Sequence, residues 1–449
     1  MKEQRIKVEP FELLKLLTCK GIVCANEHGT MTIRGYIDNA KENEYVQLLA
    51  KNTWTTVKAY DENGNFGVLF SGIVTSGGIS VENKVKILEI KLKTGSFLMD
   101  LKTHIRSFQQ IGTSYSKILD TLGYSYPEYG YIMETGRGKN TKGFLCQYRE
   151  TDWQFARRIA NVCNTVLYPN YTGTGEKFYF GRPAGINRGK IHLTEYELKQ
   201  TAKGVAYTGK LRDMYEIGDK ITLNGKDLYI IKRHTEYKMG ELYHTYTLTE
   251  KMADVKPAYN DKLTGVSLDA TVTDIQGTNV TVFINQDENK ASSGSKWFPY
   301  ATVYSSPDGT GWYCMPEKGD CVRLYFPSDK ENEAYVLNAA HLPSENNMQR
   351  INPDNKSIMN KYGKEILFKP DSIIITNNNG MSLELSDADG ISIISNKKIR
   401  FESEEAVEIT SVGANIDLVS PESISLKQGN TSMMLSDKMV MKSTKVRLN

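Results

Sequence analysis

Over the last quarter of the chain, apolar residues arrive in alternating pairs: Ile373 and Ile375, Leu383 and Leu385, Ile391 and Ile393, Ile399 and Phe401, Val407 and Ile409, Ile416 and Leu418, Ile424 and Leu426. Most intervals between pairs are eight or nine residues. Such alternation predicts short β-strands with one face buried, because successive side chains of a strand point to opposite faces. An octad offering two apolar side chains cannot fold alone. A regular short period instead predicts a stacked structure in which each unit buries its face against its neighbours. Two geometries would satisfy the ladder groups: one chain winding with about three octads per turn, or three identical chains wound together as the walls of a triangular prism.

Upstream the pattern changes. Residues 1–263 carry strand-like runs at 84–101, 177–182 and 227–250 around two helical periods. The first period aligns Tyr115, Ile118, Leu119 and Leu122, with Gly123 as a stop. The second opens at Thr151 or Asp152 as N-cap and aligns Trp153, Phe155, Ala156, Ile159, Ala160 and Cys163. Residues 264–344 read as short strands between the turn signals Gln276-Gly277, Pro307-Asp308-Gly309 and Gly319-Asp320, the spacing of a small closed barrel. Residues 345–363 are polar and aperiodic, which predicts a linker, and 364–449 hold the octads.

Composition narrows the function classes. The 449 residues and 39% apolar content suffice for two or three cored domains. With 56 basic and 53 acidic residues, the chain lacks the general basic field that nucleic-acid binding requires. Six cysteines, none in a Cys-x-x-Cys pair, predict free thiols made in a reducing compartment. Glu12 and Lys15 interrupt the N-terminal apolar run that a secretory address needs. No run of about 18 apolar residues predicts a spanning helix. The expectation is a soluble protein made in the cytoplasm.

Candidate chemistry is sparse. The six histidines form no His-Glu-x-x-His set, and no Gly-x-Ser-x-Gly occurs. Residues 136–143, GRGKNTKG, lack the Lys-Ser/Thr of a phosphate loop and read as a hairpin tip. Residues 61–65, DENGN, have their glycine misplaced for a calcium loop and read as a hairpin turn. No enzyme, metal site or cofactor is expected. The barrel region holds Trp297, Phe298, Tyr300, Tyr304, Trp312, Tyr313, Tyr325 and Phe326, but residues 265–343 have ten acidic and five basic residues. Those rings therefore read as core and subunit packing rather than as a base-stacking platform.

Three segments carry a resemblance. QYRETDWQFARRIANVCNTVLY (147–168) resembles the VgrG family and related phage tail hub proteins, with Tyr148, Glu150, Asp152, Trp153 and Phe155 in the Tyr-x-Glu-x-Asp-aromatic pattern before a helix. The family's Glu-Glu-Gly is absent after that helix, where Asn161, Cys163 and Asn164 stand. Residues 107–123 resemble the family's Phe-Gln segment and following helix. Residues 296–326 are similar to the spike barrel through Trp297, Ala301, Gly311, Trp312, Pro316, Gly319, Asp320, Val322 and Phe326.

The resemblance implies a mainly β chain: an N-terminal hub of β-barrels with two small helices, an oligonucleotide/oligosaccharide-binding (OB) fold barrel, and a C-terminal triple-stranded β-helix forming a trimeric β-prism. It implies a homotrimeric spike of a contractile injection machine, partnered by tail tube, baseplate, possible cargo effectors and, transiently, a target membrane. No nucleic-acid partner is implied. The paired residues from Ile373 to Leu426 would form the needle core. The basic end, with Lys442, Lys445, Val446 and Leu448, would receive a PAAR-type tip protein. Assembly into a phage-tail-like particle or secretion apparatus, and an extracellular location after firing, follow from the same resemblance. From the residues alone, a phage tailspike-like adhesin for a surface polymer remains the alternative.

Overall fold

Alternating patterns in the N-terminal part are realised as twelve strands in one hydrogen-bonded sheet. In the computed structural model, residues 6–442 are described apart from 61–65, 194, 202–203, 253, 340–351 and 436–438. The chain divides into two units, Met1–Leu342 and Pro343–Asn449. Within the first, the strands of residues 6–93 and those of 187–249 meet along one seam, where Lys15–Cys24 pairs antiparallel with Lys226–Lys238. Both strand groups feed one core that includes Phe11, Phe70, Ile90, Ile230 and Tyr246. The run at 227–250 is a hairpin, Lys226–Lys238 with Glu241–Thr249, turned by Met239 and Gly240, both at positive φ. Gly240 adopts that region without penalty. The proposed turn at 61–65 lies outside the described residues, between the antiparallel strands Trp54–Tyr60 and Phe66–Glu82.

The run at 84–101 is only half strand. Val85–Lys93 is extended, after which Gly95–Asp100 forms a 3-10 turn. A Cβ on Gly95 would sit 1.9 Å from the Gly175 carbonyl oxygen, so the backbone there presses against another loop, a contact that periodicity does not reveal.

The two helices stand where their patterns predict. Ser114 caps α2 (Tyr115–Gly123) by accepting from the Lys117 amide. Thr151 caps α3 (Asp152–Val162) in a reciprocal box with Gln154. Their buried faces form a second core with Phe108, Phe178 and Phe180. A third helix, α1 (Glu42–Ala50), was not apparent from the pattern because only Tyr45 is buried in it. Residues 136–143 are tied down rather than a free tip: the Thr141 amide donates to Thr113, and Lys139 accepts from the Tyr115 amide.

Residues 267–337 form a closed five-stranded barrel. Its strands are Ser267–Gln276, Asn279–Ile284, Trp297–Ala301, Cys321–Tyr325 and Tyr335–Leu337, ordered 1-2-3-5-4 with strands 3 and 5 parallel. Gly277, Gly309 and Gly319, at the three turn signals, all have positive φ. Of the aromatic set, Phe298 and Phe326 are core residues packed on Phe144, whereas Trp297, Tyr304, Trp312 and Tyr313 are exposed in the single chain.

The second unit starts with a five-stranded antiparallel meander: Lys356–Met359, Glu365–Phe368, Ser372–Thr376, Met381–Ser386 and Gly390–Ser395. Its first strand lies inside 345–363, so the segment read as linker already contributes to the ladder; pairing with Glu365–Phe368 supplies what its own polar pattern lacks. No strand forms over residues 396–423. A three-stranded meander, Ile424–Gln428, Thr431–Leu435 and Met439–Lys442, follows.

Candidate functional site

Register brings the octad pairs together. Ile373 lies opposite Leu385, which lies opposite Ile391; Ile375 lies opposite Leu383, which lies opposite Ile393. Phe368 and Ile366 extend the same two rows. The pairs thus build one apolar sheet face two side chains wide, as the alternation predicts. In the later sheet, Ile424 lies opposite Leu435 and Leu426 opposite Met433, with the backbone of the strand Met439–Lys442 paired alongside.

The single chain does not cover this face: Ile373, Ile375, Leu385, Ile391, Ile393 and Leu426 are exposed. Ile399, Phe401, Val407, Ile409, Ile416 and Leu418 fall in the segment without strands and are exposed as well. Of the expected tip contacts, Lys442 ends the last strand, whereas Lys445, Val446 and Leu448 lie outside the described residues.

The Tyr-x-Glu-x-Asp segment does different work. It ends the strand Leu145–Thr151 and opens α3, which places Glu150 and Asp152 where these elements meet the barrel. Glu150 receives two hydrogen bonds from Arg158, at 2.9 and 2.8 Å, and Arg158 turns its other Nη to Glu331 of the barrel at 2.6 Å. Asp152 is fully buried and accepts from Arg106 at 2.5 Å, Gln147 at 2.9 Å and the Tyr126 hydroxyl at 2.7 Å. Arg106 also approaches Glu288, to which His104 is hydrogen-bonded at 2.6 Å. Beside them, Asp287 accepts from the Ser107 amide, and Gln109 donates to the Val282 carbonyl.

Burial sets the electrostatics of this junction. It would lower the pKa of Arg158, but the carboxylates of Glu150 and Glu331 outweigh it, and the guanidinium is held charged. Burial raises Glu150 above the ordinary carboxylate range against the opposing pull of Arg158. For Glu288 burial is outweighed by the His104 hydrogen bond and the nearby Arg106, so its pKa is lowered. The strand Leu145–Thr151, α3 and the barrel are therefore joined by a paired polar network whose members have few alternatives to one another. Sequence reading found Glu150 and Asp152 through the resemblance. It missed Arg106, Arg158, Asp287, Glu288 and Glu331, which are spread over a strand, a helix and two connections of the barrel and share no local pattern.

A serine, histidine and aspartate also converge: His28 lies 3.0 Å from Ser96 Oγ and 3.3 Å from Asp100 Oδ2. Ser96 is fully buried and bonded to Thr94, so no substrate reaches it; the trio ties the hairpin carrying His28 to the turn at Gly95–Asp100. Among the described residues no group of three or more His, Cys, Asp or Glu is placed to hold a metal. None of the six cysteines is paired. No described helix is long and apolar enough to cross a membrane.

No family model and no curated protein matches the sequence. Solved structures do. The E. coli c3393 protein, a type VI secretion component described as structurally similar to the bacteriophage T4 tail proteins gp27 and gp5, is 13% identical with a TM-score of 0.52, over 74% of this chain and 99% of that one. The half-lidded Francisella PdpA-VgrG complex gives 11% identity and a TM-score of 0.56, over 87% of this chain and 88% of that one. Its lidless form gives 11% and 0.54, over 87% and 98%. At these identities the likeness is one of fold, and the fold is that of VgrG-like spikes and phage tail hub proteins.

Proposed function

We propose that three copies of this chain form the spike and hub at the tip of a contractile injection machine. In this reading the hub caps the tail tube, and sheath contraction drives the needle through a target envelope. The observation that carries it is the apolar face of the second unit: two continuous rows of aliphatic side chains, exposed in one chain. Exposed apolar surface on this scale calls for a partner, and identical faces from three chains enclose one another around a three-fold axis. Three hubs, each with two strand groups, would present six similar units to a six-fold tube ring while the needle keeps three-fold symmetry. The work comes from the sheath, so the chain needs no catalytic site. The Francisella relative, solved with PdpA, supports a cargo or accessory protein as a further partner. Light scattering on the purified chain tests the proposal: a stable trimer is expected, and a well-folded monomer would refute it.

A further inference from the structure

Between α2 and the strand Gly130–Met133 lies an open cleft of about 670 Å³ that the spike reading leaves unused. The strand is the edge of a three-stranded sheet, parallel to Lys177–Phe180. On its paired side the Gly130 amide donates to Glu176 and the Glu134 amide to Phe180. Because ladder bonds in a parallel pair involve alternate residues, Tyr131 and Met133 direct their main-chain groups to the other side. That side faces the cleft, since Arg137, a cleft residue, donates from Nε to the Met133 carbonyl at 2.6 Å. The Tyr131 amide and carbonyl and the Met133 amide have no partner among the described residues.

The cleft walls favour an extended chain over other ligands. Tyr126 and Tyr129 stack with centroids 6.2 Å apart, and Tyr131 stands beside them. Their hydroxyls are already used: Tyr126 donates to Asp152, Tyr129 to the Leu119 carbonyl, and Tyr131 to Asp120. The rings therefore offer faces, not polar handles. The polar groups left over are main-chain groups at strand spacing, the Nη atoms of Arg137, which is exposed at the end of the edge, and Ser116 and Asp120 on the α2 wall. Main-chain groups at strand spacing match another backbone in register, residue by residue.

We infer that this cleft binds an extended peptide segment, which adds as a fourth strand along Tyr131–Met133, lays apolar side chains on Tyr126 and Tyr129, and sets a carboxylate against Arg137. Arg137, by occupying the Met133 carbonyl, ends the open edge and fixes where the added strand stops. The inference rests on the cleft alone and stands whether or not the chain is a spike.

The test uses the full chain and a random heptapeptide display library selected on the parent protein alone, with binding to Arg137→Glu measured afterwards. Enriched peptides are then synthesised with free and with amidated C-termini, and with N-methylation at each position. Hydrogen exchange should show the amides of Tyr131 and Met133 unprotected in the free protein and protected by peptide. N-methylation at the paired residue should abolish that protection, and Arg137→Gln should weaken binding at least fivefold. Loss of binding on amidation assigns the carboxylate to the terminus; retention assigns it to an Asp or Glu side chain. Peptides that bind Arg137→Glu equally well, or that protect no amide in 129–135, overturn the inference. So does protection of those amides in the free protein, which would mean a second copy already pairs the edge, and so does protection by cellohexaose without any peptide.

Discussion

Arg158 shows how a local signature can serve long-range structure. Its guanidinium spans Glu150 at the end of the strand Leu145–Thr151 and Glu331 on the barrel, all three nearly inaccessible to water. Arg158→Met would leave two buried carboxylates facing each other, a loss of about 3–5 kcal/mol. Urea unfolding should show it, and adding Glu150→Leu and Glu331→Leu should recover part of the stability, because no buried charge then remains. His244 makes a second residue-scale prediction. Burial, followed by the nearby charge of Arg233, lowers its pKa to about 3, and its Nε2 has no hydrogen-bond partner. The unfolded chain binds a proton there below about pH 6.5, which the folded chain refuses until about pH 3. Stability from this site is therefore complete above pH 6.5 and falls as pH drops towards 3, by at most about 1.4 kcal/mol per pH unit. The decline in urea midpoint between pH 7 and 5 should be shallower in His244→Gln than in the parent; equal slopes would assign the decline to other groups.

At the scale of elements, legibility followed the strength of the local signal. Helices α2 and α3 were readable because a capping residue and an apolar stripe agree. Helix α1 was not, since its one fully buried side chain is Tyr45, which packs on Phe11 with its hydroxyl on the Glu12 backbone, while Leu48 and Leu49 reach the core only partly buried. The junction network was invisible for another reason, that bonded partners such as His104 and Glu288 lie 184 residues apart and meet only after folding. The octad face was legible because its period is two. It yields a paired test: Ile393→Asp puts a charge on the apolar face, whereas Ser382→Asp puts one on the opposite face. Enclosing the first in a trimer core would cost several kcal/mol per ion. The first variant should lose the heat-resistant trimer and the second should keep it. Equal behaviour of the two, followed by gel mobility without boiling, would mean that this face is not the one enclosed.

For the whole molecule, the proposed trimer concentrates charge along its needle. Each chain carries Lys438, Lys442, Lys445 and Arg447 near the end, with no acidic residue in 438–449, after a stretch at 402–422 rich in glutamate. Three copies gather twelve positive side chains there, beside the apolar Val446 and Leu448 of each chain. Positive charge beside apolar side chains favours a covering partner. A solvated basic segment would account for the charge but not for the apolar Val446 and Leu448 beside it. In the spike reading the cover is a small conical tip protein of the PAAR type. Deleting residues 438–449 should then abolish capture of such a tip protein while light scattering still shows a trimer, because the meanders from 356 to 435 retain their apolar rows. Equal yields of co-purified tip protein from the truncated and full chains would place the docking surface elsewhere on the spike.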